Sequence, residues 1–469
     1  MSSTDSAHIL VFPYPAQGHM LALLDLTHQL AIRGLTITVV VTPKNLPILN
    51  PLLSQHPSIQ TLVLPLPPHP SIPPGVENVK DLGNQGNFAI MSALGALYHP
   101  IAHWFNSHPS PPVAILSDFF LGWTHHLALH LAVPRIVFYS SGAFLVSVLN
   151  YIWHNLRTVR TLSSVAAFPD LPNSPSFPSD HLPSVFRRYR ESEPDSEFMK
   201  NGMIANISSW GCVFNTLDDL EGNYLDHFRK EMGHSRVWAV GPLCGLDSGA
   251  GPAERGGPSA VLASDVMTWL DGCPDESVVY VCFGSQVLLT GPQMEALAAG
   301  LERSGTRFIW VVKVADGYGV VPDGFEDRVG GRGMVIRGWA AQVPILSHGA
   351  VGGFLSHCGW NSVLEGIVAG VMLLAWPMEA DQFVNARLMV EEMGAAVRVC
   401  EGRDTVPDSA ELARTIADSM GGTRPEKVQA KVIHEKALAS VREGGSSLRD
   451  LDGLVKELHG LHGRRVTGG

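Results

Sequence analysis

Short apolar runs alternate with amphipathic stretches along the first half of the chain. The run HILVFPYP begins at residue 8, and the segment after it places its apolar residues at helical spacing until Gly34. The next run, LTITVVVTP, is rich in β-branched residues, and further runs lie at 112–119 and 135–141. A strand, a helix and a second strand in this order form a βαβ unit with parallel strands. This half is therefore predicted to be an α/β domain with a parallel sheet.

The same alternation restarts after a segment without periodicity near residue 245. The sequence CGLDSGAGPAERGGPSA is rich in Gly and Pro, which is typical of an interdomain linker. Beyond it, apolar runs such as SVVYVCFGS, RFIWVV and AVGGFLS recur at βαβ spacing. We predict two Rossmann-like domains, 1–245 and 263–446, joined by a linker at 246–262. A terminal helix at about 447–469 is expected to pack back on the first domain, and the Pro- and Ser-rich stretch at about 163–200 is predicted to be a long surface loop.

Composition narrows the class of partner. The formal net charge of −11 argues against nucleic acid and anionic membrane surfaces, because both favour clustered Lys and Arg. Six scattered cysteines without a C-x-x-C pair are typical of reduced thiols. The sequence shows no signal-peptide pattern and no run of the roughly 20 apolar residues that a membrane span needs. We expect a cytoplasmic, monomeric protein without a membrane span.

Unusual residues follow the predicted strand AVGGFLS, in the turn HCGWNSVLEG. A helix predicted to begin near Ser362 would direct its free N–H groups and positive dipole end at this turn. Gly359 allows close approach of a ligand, and His357, Asn361 and Ser362 add side-chain donors, so the turn predicts a phosphate site built without lysine. The alternative is a capping box, because Ser362 and Glu365 have the S-x-x-E spacing.

Two neighbouring strand ends carry groups that complement a phosphate site. Trp339 follows the strand GMVIRG, where its ring could stack on a nucleobase, although a lone tryptophan could equally be a core residue. The strand VMLLAW ends in PMEADQ, which brings Glu379, Asp381 and Gln382 to the same edge with no basic partner. Such groups suit hydroxyl recognition. A base platform, a phosphate turn and hydroxyl acceptors together predict a nucleotide-sugar site.

The first half contains a candidate general base. His19 follows the first strand and Asp118 ends the strand PVAILSDF, so neighbouring parallel strands would bring the two side chains together. A carboxylate behind an imidazole fixes its tautomer and stabilises the imidazolium. The alternative is a structural histidine, which is the commoner role of a single histidine.

The segment from Trp339 to Gln382 resembles the donor-binding signature of plant family 1 (secondary-product) UDP-glycosyltransferases. W-x-x-Q, H-C-G-W-N-S, the glutamate three residues on and the closing D-Q all fall in register over 44 positions. The resemblance extends along the chain, including the segment PYPAQGH that ends at His19, and is weakest through 160–200. One departure is Ala341, where the family usually has proline. The resemblance implies the GT-B fold: two facing Rossmann-like α/β domains with parallel sheets and a cleft between them.

The resemblance also implies roles for individual residues. Those expected to bind the donor nucleotide are Trp339 and Ala340 with Gln342 at the uracil, Glu365 at the ribose, and Ser285, His357, Gly359, Asn361 and Ser362 at the diphosphate. Those expected to meet the sugar are Trp360, Asp381 and Gln382. His19 and Asp118 are the expected catalytic dyad. The expected acceptor pocket contains Phe119, Phe120, Trp123, Ser140 and Phe144.

The reaction implied is inverting transfer of a sugar from a UDP-sugar to a hydroxyl of a flavonoid or other phenolic acceptor. Glucose is the expected sugar because Gln382 offers an acceptor and two donor hydrogens that could bridge adjacent equatorial hydroxyls, with rhamnose, xylose or galactose as alternatives. No cofactor or metal is expected, since the one D-x-D spacing, Asp450 to Asp452, lies in the terminal helix. A non-catalytic UDP-sugar-binding module is a rival, which the presence of His19 and Asp118 disfavours. A dehydrogenase is disfavoured because the G-x-G-x-x-G fingerprint is missing.

Overall fold

The chain forms two compact units. The computed structural model describes residues 6–161, 164–246, 259–315, 317–422 and 424–467. Unit 1 comprises Met1–Asp180, Val185–Leu243 and Ser440–Gly469, and unit 2 comprises His181–Ser184 and Cys244–Ala439. Most of the predicted linker at 246–262 lies outside the described residues. No helix in the described part of the chain is long and apolar enough to cross a bilayer.

Parallel strands form the centre of unit 1. Its strands are β1 (His8–Phe12), β2 (Thr36–Val41), β3 (Gln60–Val63), β4 (Ala114–Asp118), β5 (Arg135–Tyr139), β6 (Val165–Ala167), β7 (Ser176–Pro178), β8 (Gly211–Phe214) and β9 (Val237–Ala239). Seven of them form one sheet in the order β3-β2-β1-β4-β5-β8-β9, and β6 and β7 pair separately. Strands β1 and β4 are buried along their full length and pair in parallel. Strand order reverses between them, and ligands of open α/β sheets bind at such points.

Helices cover the unit 1 sheet and connect its strands. They are α1 (Gln17–Ile32), α2 (Asn50–Gln55), α3 (Asn87–Gly95), α4 (Tyr98–Ser107), α5 (Thr124–His130), α6 (Ala143–His154), α7 (Leu156–Thr161), α8 (Ser184–Arg187), α9 (Pro194–Asn206) and α10 (Asp218–Met232). A short 3₁₀ turn, Phe119–Leu121, follows β4 directly.

The prediction of a long surface loop at 163–200 is wrong. The segment contains β6, β7, α8 and the start of α9, and many of its apolar side chains are buried. Phe168 packs edge-on against Tyr151, and Phe177 lies 6.0 Å from Phe144, measured between ring centroids. The sequence pattern does not show these elements because prolines interrupt the hydrophobic periodicity. The aromatic residues between the prolines are nevertheless buried in the core.

Unit 2 is a second parallel α/β unit. Its strands are β10 (Val278–Cys282), β11 (Arg307–Val312), β12 (Gly333–Arg337), β13 (Val351–Ser356), β14 (Met372–Ala375) and β15 (Ala396–Arg398), in the sheet order β12-β11-β10-β13-β14-β15. Its helices are α11 (Ala263–Asp271), α12 (Gly291–Ser304), α13 (Phe325–Val329), α14 (Gln342–Leu346), α15 (Trp360–Ala369), α16 (Gln382–Arg387), α17 (Ser409–Met420) and α18 (Pro425–Val441). Strand order reverses between β10 and β13, whose last residues Cys282 and Ser356 lie side by side.

The terminal helix α19 (Ser446–Thr467) belongs to unit 1. The Asp450 carboxylate accepts the Ala239 N–H at 2.7 Å, and Asp452 accepts from the Arg33 guanidinium at 3.1 Å. Both carboxylates of the D-x-D spacing are therefore engaged in holding this helix on the unit 1 sheet.

Candidate active site

The structure brings His19 and Asp118 together. His19 is the third residue of α1, and its Nδ1 lies 2.9 Å from Oδ2 of Asp118, the last residue of β4. The Asp118 side chain is 0% exposed and the His19 side chain 19%. The Phe120 N–H donates to the other carboxylate oxygen of Asp118 at 2.8 Å. A hydrogen bond from Nδ1–H to a carboxylate leaves the Nε2 lone pair as the base, so the geometry suits proton abstraction.

Aromatic rings and one hydroxyl surround the imidazole. The Phe119 ring stacks on His19 with centroids 5.4 Å apart, and the Phe120 ring lies at 4.6 Å. Tyr14 packs edge-on at 5.3 Å. Ser140 Oγ is 3.1 Å from His19 Nδ1, beside the hydrogen bond to the carboxylate. These contacts fix the ring plane from several sides.

The other two residues of the expected acceptor pocket occupy different environments. Trp123 is buried, and its Nε1 has no hydrogen-bond partner among the described residues. Phe144 is 1% exposed and stacks on Tyr224 with centroids 4.3 Å apart. Phe144 therefore lies in the packed contact between α6 and α10, whereas Trp123 retains a donor that could serve a ligand.

The turn after β13 differs in detail from the prediction. Helix α15 begins at Trp360, two residues before Ser362, with Gly359 as its N-cap residue, and no side chain caps it. Asn361 and Ser362 occupy its first turn. Cys358 has a φ of 62°, which is uncommon for a residue with a side chain. The Asn385 side-chain amide donates to the Cys358 carbonyl at 2.9 Å and holds this conformation.

His357, in this turn, lies between Gly359 of the same turn and Gly284, which follows β10. A Cβ atom added to Gly284 or to Gly359 would lie 2.6 Å from His357 Nε2. Its Nδ1 is buried without a hydrogen-bond partner in the described part of the chain. Burial lowers the pKa of His357 to about 4, so the imidazole is neutral at neutral pH. Gly284 precedes Ser285, which places the predicted diphosphate residues of both strand ends around one imidazole.

Gln342 joins the two halves of the donor signature. Its Nε2 donates to Glu365 Oε2 at 2.7 Å and to Ser362 Oγ at 3.2 Å. The capping-box alternative for Ser362 and Glu365 is therefore wrong: their spacing lets both side chains meet Gln342. Trp339 is partly exposed, and its carbonyl accepts the Ala260 N–H at 2.7 Å. Ala340 is buried beside it.

The cluster after β14 includes a basic partner that the sequence pattern did not show. The Arg403 guanidinium donates to Glu379, which corrects the expectation that these carboxylates lack one. The Arg403 carbonyl in turn accepts from the buried Gln293 side chain at 2.7 Å. Asp381 Oδ2 accepts from Asn385 at 2.9 Å, which ties this cluster to the turn that contains Cys358.

Gln382 has fewer free hydrogen-bonding groups than its sequence position suggests. Its Oε1 accepts the N–H groups of Met378 and Glu379, each at 2.9 Å. The expectation that Gln382 offers an acceptor as well as donors to a sugar is therefore wrong. Only its Nε2 hydrogens are available to a hydroxyl. Trp360, which is also expected at the sugar, is buried in the first turn of α15.

Sequence reasoning also missed a lysine beside the phosphate turn. Lys313, the first residue after β11, donates from its ammonium group to the Ser285 carbonyl. A lysine therefore lies beside Ser285, one of the residues expected at the diphosphate. Its position at the carboxyl end of the strand next to β10 was the signal that could have identified it.

Comparison with known proteins identifies the family to which this architecture belongs. Residues 256–419 match the family model described as UDP-glucoronosyl and UDP-glucosyl transferase. The chain is 54% identical over 454 residues to UDP-glycosyltransferase 89A2 of Arabidopsis thaliana, with 96% of this chain and 95% of that protein covered. It is 51% identical over 464 residues to flavonol 3-O-glucosyltransferase UGT89B1 of the same plant, with 97% and 96% covered.

Solved structures agree. The crystal structure of Arabidopsis thaliana UGT89C1 complexed with UDP-L-rhamnose has a TM-score of 0.81 and 41% identity, with 97% of this chain and 99% of that chain covered. A second structure of UGT89C1 is complexed with quercetin, with a TM-score of 0.80. Two parallel α/β units, together with this likeness to solved UDP-glycosyltransferases, identify the fold as GT-B. The chain belongs to the plant family 1 UDP-glycosyltransferases, which confirms the predicted family, fold class and enzyme type.

Proposed function

We propose that this enzyme transfers a sugar from a UDP-sugar to a hydroxyl group of a flavonoid or another phenolic. The observation that carries the proposal is the hydrogen bond of 2.9 Å between His19 Nδ1 and Asp118 Oδ2. It leaves Nε2 as a base among aromatic rings, an environment that suits a flat phenolic acceptor. The name of UGT89B1 and the quercetin complex of UGT89C1 support the same acceptor class.

In the proposed reaction His19 Nε2 takes the proton of the acceptor hydroxyl. The acceptor oxygen forms a bond to the anomeric carbon while the bond from that carbon to the diphosphate oxygen breaks, so UDP leaves and the configuration inverts. The Asp118 carboxylate stabilises the imidazolium that forms. General-base help of this kind contributes about 10²- to 10⁴-fold.

The negative charge that grows on the leaving diphosphate requires donors in unit 2. We propose that the N-terminus of α15, Ser285, Asn361 and Ser362 supply them, with His357 as a neutral imidazole and Lys313 nearby. Trp339 would stack on the uracil, and Glu365 would accept from the ribose hydroxyls. Gln342 orients Glu365, so the base and ribose contacts depend on one another.

A metal is not part of the proposal. The Asp450 and Asp452 carboxylates hold the terminal helix, and the donors around the turn can serve the diphosphate. Transfer should therefore continue in excess EDTA. Complete inhibition that Mn²⁺ or Mg²⁺ reverses would contradict this part of the proposal.

Glucose is the proposed sugar, and rhamnose is the specific alternative. The Gln382 Nε2 hydrogens and the Asp381 carboxylate can pair with hydroxyls of a hexose that has a primary alcohol, and the family commonly uses glutamine here with glucose. The complex of UGT89C1 with UDP-L-rhamnose supports the alternative. A wrong sugar that leaves one buried polar group unpaired loses about 1–3 kcal/mol, roughly 10- to 100-fold.

The test is a product assay with a panel of flavonoids and simple phenolics and equimolar UDP-glucose, UDP-rhamnose, UDP-xylose and UDP-galactose. Mass and chromatography identify the product. We expect glucosides to dominate. Rhamnosides as the main product would overturn the glucose assignment but keep the reaction, whereas UDP binding without any product would favour a non-catalytic binding module.

We also propose a cytoplasmic location and a monomeric state. All six cysteines are free thiols, which suits the reducing conditions of the cytoplasm. A monomer is the proposed oligomeric state, and light scattering of the purified protein measures it directly.

A further inference from the structure

A fully buried guanidinium lies behind the carboxylate of the dyad. Arg135, the first residue of β5, is 2% exposed and extends along β4 toward its carboxyl end. Its Nε donates to Ser117 Oγ at 3.0 Å, and its Nη2 lies 3.4 Å from the Asp118 carbonyl oxygen. Its Nη1 donates to Asn206 Oδ1 at 2.8 Å and to Ser209 Oγ at 2.9 Å.

Every hydrogen-bond acceptor of Arg135 in the described residues is a neutral oxygen. Burying such a cation is unfavourable unless it is paired. Burial lowers the pKa of Arg135 to about 10, and Tyr139, Cys212 and Asp118 counteract it. Burial also raises the pKa of both Tyr139 and Cys212, so these two stay uncharged at neutral pH. Asp118 is then the acid of this group that can balance the guanidinium, which links an unusual buried charge to the reaction.

The same network holds three consecutive residues at the end of β4. Ser117 Oγ contacts Arg135 and lies 2.7 Å from Thr124 Oγ1. The Asp118 carbonyl faces the guanidinium. The Asn206 amide donates to the Phe119 carbonyl at 2.8 Å while its oxygen accepts from Arg135. Asn206 thus joins the guanidinium to the backbone next to Asp118.

We propose that Arg135 and Asn206 are positioning residues that hold Asp118 in register with His19. The proposal rests on the proposed function, because it assigns them to the dyad of that reaction. The two side chains fix the backbone from which the Asp118 carboxylate projects. Neither side chain touches the imidazole.

Asn206→Ala is the main test, because it removes two hydrogen bonds without leaving a larger group buried. We expect kcat to fall about 10-fold, with little change in the acceptor KM or in UDP affinity, which unit 2 determines. Asn201→Ala is the matched control, since Asn201 is exposed on the same helix, α9. Arg135→Lys keeps the charge and should retain more turnover than Arg135→Gln, provided that both variants bind UDP normally.

A double-mutant cycle separates positioning from general stability. In the Asp118→Asn background, Asn206→Ala should reduce kcat by less than 2-fold, because its effect passes through the carboxylate. An equal loss in both backgrounds would overturn the proposal, as would an unchanged kcat in the single variant.

The His19 ring offers a readout apart from activity. In ¹⁵N-histidine-labelled enzyme, the resonances missing from His19→Ala identify the ring, and its shifts report which nitrogen carries the proton. Asn206→Ala should reduce the Nδ1–H form, and Asn201→Ala should not; no change in the ring shifts of Asn206→Ala would overturn the proposal. If His19→Ala retained transfer, the assignment of His19 as the general base would fail, and the ring shifts would still decide whether Asn206 positions the dyad.

Discussion

The strand ends of the two units are built in different ways. In unit 1, charged groups are buried behind β4: the Asp118 carboxylate is completely covered, and Arg135 is buried beside it. In unit 2, a neutral imidazole in the turn between β13 and α15 lies between Gly359 of that turn and Gly284 after β10, and the helix end has no side-chain cap. A histidine base needs one fixed tautomer and the means to stabilise the imidazolium that forms, whereas a diphosphate needs access to backbone N–H groups. The difference therefore separates proton transfer from donor binding.

The largest expected effects come from replacing the two histidines, one in each unit, because the two variants should lose different functions. His19→Ala should lower kcat by about 10²- to 10⁴-fold and leave the UDP dissociation constant unchanged, because a general base is removed. His357→Ala should instead weaken UDP binding by about 10-fold, since one hydrogen-bonding group is lost. Calorimetric titration with UDP and steady-state kinetics measure both.

The test depends on kcat falling in one variant and UDP affinity falling in the other. If His357→Ala lost turnover as severely as His19→Ala while still binding UDP, the assignment of the imidazoles to separate tasks would be wrong. More than about a tenth of wild-type kcat in His19→Ala would likewise argue against the base.

A second prediction tests how closely α9 must approach the end of β4. A Cβ at Gly122 would lie 1.9 Å from the Gly202 carbonyl oxygen, whereas a Cβ at Gly202 meets nothing closer than 3.6 Å. Gly122→Ala must therefore displace α9, and with it Asn206, at a typical overpacking cost of about 1–3 kcal/mol. We expect kcat to fall about 10- to 100-fold with UDP affinity intact.

Gly202→Ala is the matched control, since it adds the same methyl group to the same contact from the other side. It should retain near wild-type kcat. Equal kinetics for the two variants would show that the approach of α9 has no bearing on the dyad.

The third prediction concerns the close packing around His357, in the turn between β13 and α15 that is proposed to bind the donor diphosphate (the donor turn). Gly284 has a φ of 73°, and an added Cβ would lie 2.6 Å from His357 Nε2. Gly284→Ala should weaken UDP binding about 10-fold through backbone strain and displacement of the imidazole. Gly291→Ala is the control, because nothing lies within 4 Å of its added Cβ. Identical UDP titrations for both variants would contradict the tight packing around His357.

These contrasts show which parts of the molecule the sequence could reveal. His19 and Asp118 were found because parallel strands bring their carboxyl ends to one edge, so strand position alone predicts the encounter. Family, fold class and enzyme type were confirmed, and the 44-residue signature supplied the donor residues. The role of each site residue stays a prediction that the experiments above address.

The errors share a physical origin. Arg135 meets Asn206 across 71 positions, and Arg403 meets Glu379 across 24, through side-chain geometry that no spacing encodes. The capping-box alternative stayed open because S-x-x-E fits two structures, and the partner that decides between them, Gln342, lies 20 positions away from Ser362. Gln382 was expected to offer an acceptor to the sugar, but backbone N–H groups of the turn occupy its side-chain oxygen.

The smallest predicted effect concerns the stability of the donor turn at low pH. The folded-state pKa of His357 is about 4, lowered by burial from the ordinary value of 6.5. Between these values the unfolded chain binds a proton that the folded chain does not bind, so the free energy of unfolding falls as pH decreases from about 6.5 to 4.

His357→Asn removes this contribution to the pH dependence of stability. From pH 7.5 to pH 4.5 the variant should therefore lose about 1–3 kcal/mol less stability than the wild type. Burial also lowers the pKa of His8, His56 and His125, but these groups are present in both proteins and cancel in the difference. Urea unfolding at several pH values measures it. Parallel pH profiles would mean that His357 is charged or freely solvated, and the contrast between an ionic base site and a neutral donor turn would then be lost.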